Sequence, residues 1–422
     1  MNLSLPNTEN ITRTVLDNGI TVLVYENHAA PVAVLEGRLN VGAVQDPADK
    51  TGVSSFTSSM LTRGSASYDF DSFNETIESV GASLGVSSGK HTVSFHSNSL
   101  SEDLPTMVTV LADILRNPTF PEPHMELIRN QRLIAIQERE QDTQQVASLH
   151  FNAAMYGSEH PYGRTTTGYT DSVNAITRQD LVDFHNTYYS PQGAVIVVVG
   201  DVQTQDVLQT IGGSLGDWTG EMIPQDLASV IHPSNAQKQF YAMPDKVQSD
   251  IVLGVPAVPR TNPDFDAIRV ANSILGQFGM MGRLGEKVRE EQGLAYYSYS
   301  ACDTRKIAGS WNAIAGVNPA NVDQAIESIR NEFARMADTP VDASELSDTQ
   351  AYMTGIMPLA LETNAGIAGN ILTMEWEQLG LDYLERYSGV INGITVADVQ
   401  RVAKQYLNAD NYVQVVAGPE SE

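Results

Sequence analysis

A single cysteine, Cys302, stands in 422 residues, which rules out an internal disulfide and leaves the thiol as a small hydrophobe of the interior. Basic residues are also few. Against 51 Asp and Glu there are 25 Lys and Arg, a formal charge of -26 that offers a nucleic-acid backbone no matching surface. The acidity either keeps the surface solvated or draws basic peptides, and the sequence leaves both open. No apolar run nears the roughly 20 residues of a membrane-spanning helix. The polar start Met1–Arg13 lacks the basic-then-apolar order of a secretory signal. The expectation is a protein of the cytoplasm, or of the periplasm if a leader has been removed, with neither membrane nor nucleic acid as a partner.

Metal-ligand patterns are missing too. A helical metallopeptidase site needs two imidazoles four residues apart on one face, with a carboxylate to take a proton from the metal-bound water. Of the eight histidines (His28, His91, His96, His124, His150, His160, His185 and His232) no two are four apart. Neither H-E-x-x-H nor H-x-x-E-H occurs. His91 and His96 fall on a strand-like run at odd spacing, which points them to opposite faces.

What is present is an internal repeat. The stretch Val173–Asp180 (VNAITRQD) matches Ile391–Asp398 (INGITVAD), and the match continues without a gap from Tyr188 and Tyr406 to the apolar runs Val195–Gly200 and Val413–Gly418. Thr177 and Thr395 are good helix N-caps, and the runs that follow are short and β-branched, as buried strands should be. Alternating stretches Gly19–Tyr25 and Ser249–Val255 open the two halves. Between the halves, a Gly-, Ser- and Pro-containing stretch suits a linker. The length favours two domains. The expected architecture is α+β: residues 1–215, a linker 216–234, and residues 235–422. Each half should be a mainly antiparallel sheet with helical segments such as Ser101–Arg116, His124–Gln141 and Pro319–Ala337 on one face.

The segment Leu39–Pro47, followed by Thr51–Ser65 (TGVSSFTSSMLTRGS), resembles the insulinase (pitrilysin-like, M16) peptidase segment G-x-x-H-x-x-E-H-M-L-x-x-G-[ST]. Aligned on Gly52, Met60, Leu61, Gly64 and Ser65, the resemblance places the family's metal-ligand histidines at Ser55 and Ser59 and its general-base glutamate at Ser58. The family's distal glutamate falls at Ala135 or Ile136. Serine hydroxyls are neutral and poor zinc ligands, so no catalytic residue for hydrolysis and no metal are expected in this chain. A serine nucleophile would need a base, and no histidine lies in the segment.

In the second half, Leu275–Gly285 leads into Glu286–Tyr296 (EKVREEQGLAY), similar to the family's glycine-containing segment followed by R-E-x-x-G-L-A-Y. The resemblance implies that Arg289 and Tyr296 grip the substrate backbone and the tetrahedral intermediate. Arginine's fork of donors and tyrosine's hydroxyl suit that role. The alternatives are a surface ion pair for Arg289 and ordinary strand packing for Tyr296. Gly276, Gly279 and Gly282 either shape a tight turn or give a mobile loop that contacts substrate. Leu16–Val24, His160–Arg164 with Gly168, and Tyr188–Pro191 extend the resemblance over nearly the whole chain; His160 itself is read as structural or exposed.

Loss of the metal site with retention of the Arg/Tyr motif resembles the non-catalytic subunit of two-chain family members. The resemblance implies a clamshell dimer with a homologue that keeps H-x-x-E-H and carries zinc, acting on small unfolded peptides; a homodimer could form in isolation. The alternative is a structural or peptide-binding scaffold with no proteolytic role.

Overall fold

The computed structural model describes residues 5–279, 281–407 and 411–420. They form two compact units, each built on one sheet. The first contains the chain through Ile136, Thr165–Asp226 and Met357–Arg386. Its strands are β1 (Ile11–Val15), β2 (Thr21–Glu26), β3 (Val32–Leu39), β4 (Ser83–Ser88), β5 (Val93–Leu100) and β6 (Val195–Gly200), in the order β1-β2-β6-β3-β5-β4. Only β2 and β6 run parallel; the other neighbours are antiparallel.

Alternation along these strands sorts the first core into two layers. Val22, Val24, Ala33, Leu35, Ile196 and Val198 face the helices Val53–Met60, Leu104–Arg116, Arg178–Tyr188 and Thr204–Leu215. The other face carries Leu23, Tyr25, Val34, Val195, Val197 and Val199. These pack on Ile367, Ala368, Ile371 and Leu372 of the helix Asn364–Trp376. Helices thus cover more than the one face expected, because β6 is apolar on both sides and every residue of it is buried.

The second unit holds Gln137–Arg164, Leu227–Ile356 and the chain from Tyr387. Its strands β7 (Gln237–Ala242), β8 (Ser249–Ala257), β9 (Ala295–Thr304), β10 (Gly309–Val317) and β11 (Val413–Gly418) follow the order β7-β11-β8-β10-β9. Apart from β1, this repeats the first sheet: β7 and β11 are parallel like β2 and β6, and β11 ends on Gly418 as β6 ends on Gly200. The stretch Ser249–Val255 therefore corresponds to β3, not to β2. The strand matching β2 is β7, whose polar, mostly exposed sequence QKQFYA hides it from a search for apolar alternation. On one face of this sheet, Trp311 is fully buried and its Nε1 donates to Asn272 Oδ1 (2.8 Å) on the helix Phe265–Gly276. On the other lies the helix Thr143–Tyr156, whose Thr143 hydroxyl donates to the buried Asp250 of β8 (2.5 Å).

The two units and the two sequence halves are therefore different divisions. Residues 137–164 pack in the second unit and 357–386 in the first, since each sheet takes the cover of its second face from the opposite half. The segment 216–234 is largely exposed and irregular, yet Trp218 is buried and Gln225 Nε2 donates to the His91 carbonyl (2.8 Å). Among the described residues no helix is long and apolar enough to cross a membrane.

Candidate functional site

The helix Val53–Met60 carries Ser55, Ser58 and Ser59, and its start is held from outside. Asp46 accepts from the amides of Gly52 (2.7 Å) and Ser54 (3.0 Å), placing a carboxylate at the positive end of the helix. Gly52 is left-handed (φ 100), and a Cβ there would stand 3.0 Å from the Gly168 backbone, so glycine is required. Ser58 and Ser59 each donate to the Ser55 carbonyl at 3.0 Å. Their protons are thereby spent within the helix, as serines in helices commonly arrange.

An arginine takes the acceptor side. From the helix Glu122–Glu140, Arg132 Nη1 donates to Ser55 Oγ (2.6 Å). Its Nη2 donates to the Ser55 carbonyl (2.5 Å) and to Ser59 Oγ (2.8 Å). The guanidinium carbon lies 5.0 Å from the centre of the Phe56 ring, within cation–π range. Burial pulls the Arg132 guanidinium down to about 10, with the Asp46 carboxylate opposing the shift. At neutral pH it is still a cation.

These residues do not fit zinc. The side chains at positions 55, 58 and 59 are neutral hydroxyls, and a cation's hydrogens face two of them. Among the described residues no three His, Cys, Asp or Glu side chains converge as a metal site. At the distal position Ala135 is exposed and Ile136 is buried, and neither has a ligand atom.

The Arg289 and Tyr296 motif lies in the second unit, around a tight turn. A π-helical segment Gly285–Glu291 closes through Gly293, left-handed at φ 62, whose amide donates to the Arg289 carbonyl (3.0 Å). The Arg289 side chain is partly exposed and its Nε lies 3.5 Å from the Glu290 carboxylate, a surface pair of small energetic weight. Tyr296 is 61% exposed for a reason visible in the ladder. Tyr297 pairs with Gly316 and Ala295 with Val317, which leaves Tyr296 as the extra residue of a β-bulge on the edge strand β9. Bulges re-aim side chains in this way beside functional sites. Tyr296 is therefore not engaged in ordinary strand packing.

The three glycines separate by role. At Gly276 a Cβ would meet the Ser300 amide at 2.1 Å, and at Gly282 (φ 63) it would meet the Gly276 nitrogen at 2.6 Å. Both permit close packing against β9 and the preceding helix end. Gly279 (φ 60) has only open space before it, so its need for glycine is conformational alone.

Two other residues singled out in the sequence are structural. His160 Nδ1 accepts from the Tyr162 amide (3.0 Å) and caps a short turn, and Cys302 is half-buried, its thiol pushed up to about 12 by burial and by Asp303. Sequence reasoning passed over Arg132 and Asp46. The available signal was geometric: Arg132 lies one turn before Ala135, on the helix face where the distal ligand position sits.

Residues 21–168 match the family model described as insulinase (peptidase family M16), and residues 175–353 match that of the peptidase M16 inactive domain. An uncharacterized zinc protease of Mycobacterium leprae is 26% identical over 97% of this chain and 92% of that protein. The mitochondrial-processing peptidase subunit beta of Bos taurus is 26% identical over 85% of this chain and 74% of its own length. Among solved structures, a peptidase M16 inactive domain from Pseudomonas fluorescens superposes with a TM-score of 0.91 at 27% identity, covering 98% of both chains. A protease from Helicobacter pylori shares the fold at 19% identity, also with a TM-score of 0.91, over 99% of this chain and 100% of that one.

Proposed function

The chain belongs to the M16 (insulinase) peptidase family, and from that premise we propose that it is the non-hydrolysing subunit of a two-chain peptidase. The observation that carries this reading is the contrast between its two motifs. The serine helix holds an arginine across the ligand positions, while the segment Arg289–Tyr296 keeps its residues and turns Tyr296 outward on a bulge. One relative is by name a subunit of a processing peptidase, which favours pairing within the family.

In this reading a homologue with intact H-x-x-E-H carries zinc and performs hydrolysis. This chain supplies grip. An extended peptide adds a strand to a sheet edge, where backbone pairing makes binding tolerant of sequence. The Arg289 guanidinium and Tyr296 hydroxyl donate to the substrate backbone and to the oxyanion as charge develops on it. Small unfolded peptides are the expected substrates. Without the partner the chain can form homodimers but hydrolyses nothing.

The test is purification of the chain from its native source under mild conditions, with identification of what travels with it. A stoichiometric homologue bearing H-x-x-E-H is the expected companion. Recovery of the chain with no such homologue would overturn the pairing.

A further inference from the structure

The serine helix has a second aspect, which concerns what replaced the metal. Residues 55 and 59 are four apart on one helix face, so two ligands there would hold one ion between them and the neighbouring helix. That space is filled: the Arg132 guanidinium donates to Ser55 Oγ at 2.6 Å and to Ser59 Oγ at 2.8 Å. We propose that Arg132 stands in the place of the family's metal ion. Its guanidinium cross-links the helix Val53–Met60 to the helix Glu122–Glu140 and makes the serine helix a closed site that excludes divalent cations.

The local chemistry fits at both Nη atoms of Arg132, while its buried Nε has no hydrogen-bond partner among the described residues. Serine is short enough to leave room for a planar guanidinium, whereas an imidazole at either position would reach into the same volume. The hydroxyl protons of Ser58 and Ser59 turn back to the Ser55 carbonyl, so Ser59 offers the arginine a lone pair rather than a competing hydrogen. Asp46 lies close enough to be felt electrostatically by the guanidinium and also caps the serine helix. One positive charge at the centre of the pocket repels a second. Unlike a metal, this cross-link cannot be chelated or lost.

The proposal rests on the family correspondence of Ser55 and Ser59 and not on a partner, so the isolated full chain tests it independently of the subunit reading. Two zinc-ligand variants are compared by zinc titration and thermal unfolding. Both carry Ser55→His, Ser59→His and Ala135→Glu; one keeps Arg132 and the other adds Arg132→Ala. If the guanidinium and the ion share one place, the variant lacking Arg132 should bind zinc at least about 10-fold more tightly, and zinc should raise its Tm. Equal affinity in the two variants, or no binding in either, would overturn the proposal.

The native chain should unfold at the same temperature with EDTA as with added zinc. Arg132→Ala alone should lower the Tm by at least about 5 °C, since hydrogen bonds to a charged group are lost, and zinc should not restore it. Should Arg132→Ala fail to fold, Arg132→Lys, which keeps the charge but loses the fork, gives the smaller drop to be read instead. A native chain that retains one zinc at this helix, or an Arg132→Lys variant with native stability, would contradict the cross-link.

Discussion

His185 links the stability of the first unit to pH. It is buried on the helix Arg178–Tyr188, with its Nε2 2.9 Å from the Leu115 carbonyl and its ring against Phe120 and Tyr189. Burial lowers its pKa below the free imidazole's 6.5, while the Leu115 contact opposes the shift. The unfolded chain then takes up the proton more readily than the folded one. The stabilising contribution is whole above about pH 6.5 and is lost as the pH falls from there through the folded value. His185→Gln, whose amide can still donate to Leu115, should reduce the loss of stability between about pH 7.5 and 5.5, read as urea midpoints. An unchanged pH dependence would show that His185 does not contribute it. Such roles are hard to see in sequence: His185 matches no motif, and its burial depends on residues distant in the chain. The serines are the opposite case. Their positions follow from the motif frame, but the arginine that closes them comes from another helix.

Elements made by local chemistry were legible; those made by long-range cover were not. Thr177 with Asp180 and Thr395 with Asp398 each form a reciprocal cap: the threonine amide donates to the aspartate Oδ2 at 2.7 and 3.0 Å, and the aspartate amide donates to the threonine Oγ1 at 3.2 Å in both. That signal lies within four residues. The doubly buried β6 also announced itself as an unbroken apolar run, but nothing in the run tells which helix covers its second face. The structure assigns that role to Asn364–Trp376. Ile371→Ala should therefore destabilise the first unit, by roughly 3 kcal/mol for a fully buried isoleucine. Hydrogen exchange should detect it as lost protection in β2 and β6, far away in sequence. Loss confined to the second unit would contradict the interleaved arrangement.

At the scale of the whole molecule, both sheets share one strand order apart from the extra edge strand β1 of the first, and the repeat that ends each half is the sequence's trace of it. The units have diverged in chemistry: one holds an arginine among serines, the other an outward tyrosine on a bulge. If the chain is a partner subunit, that division has a direct consequence for turnover. The decisive measurement is cleavage of a fluorogenic peptide by this chain mixed with a homologue bearing H-x-x-E-H, with complex formation checked by size-exclusion chromatography. The account predicts no turnover by this chain alone and turnover on mixing. Tyr296→Phe should lower it on the order of 10²–10³-fold, as for loss of one oxyanion donor, and Arg289→Ala at least as much, with the complex intact in both. Full activity of both variants, or hydrolysis by this chain alone, would contradict it, and full activity would leave a scaffold role as the better account.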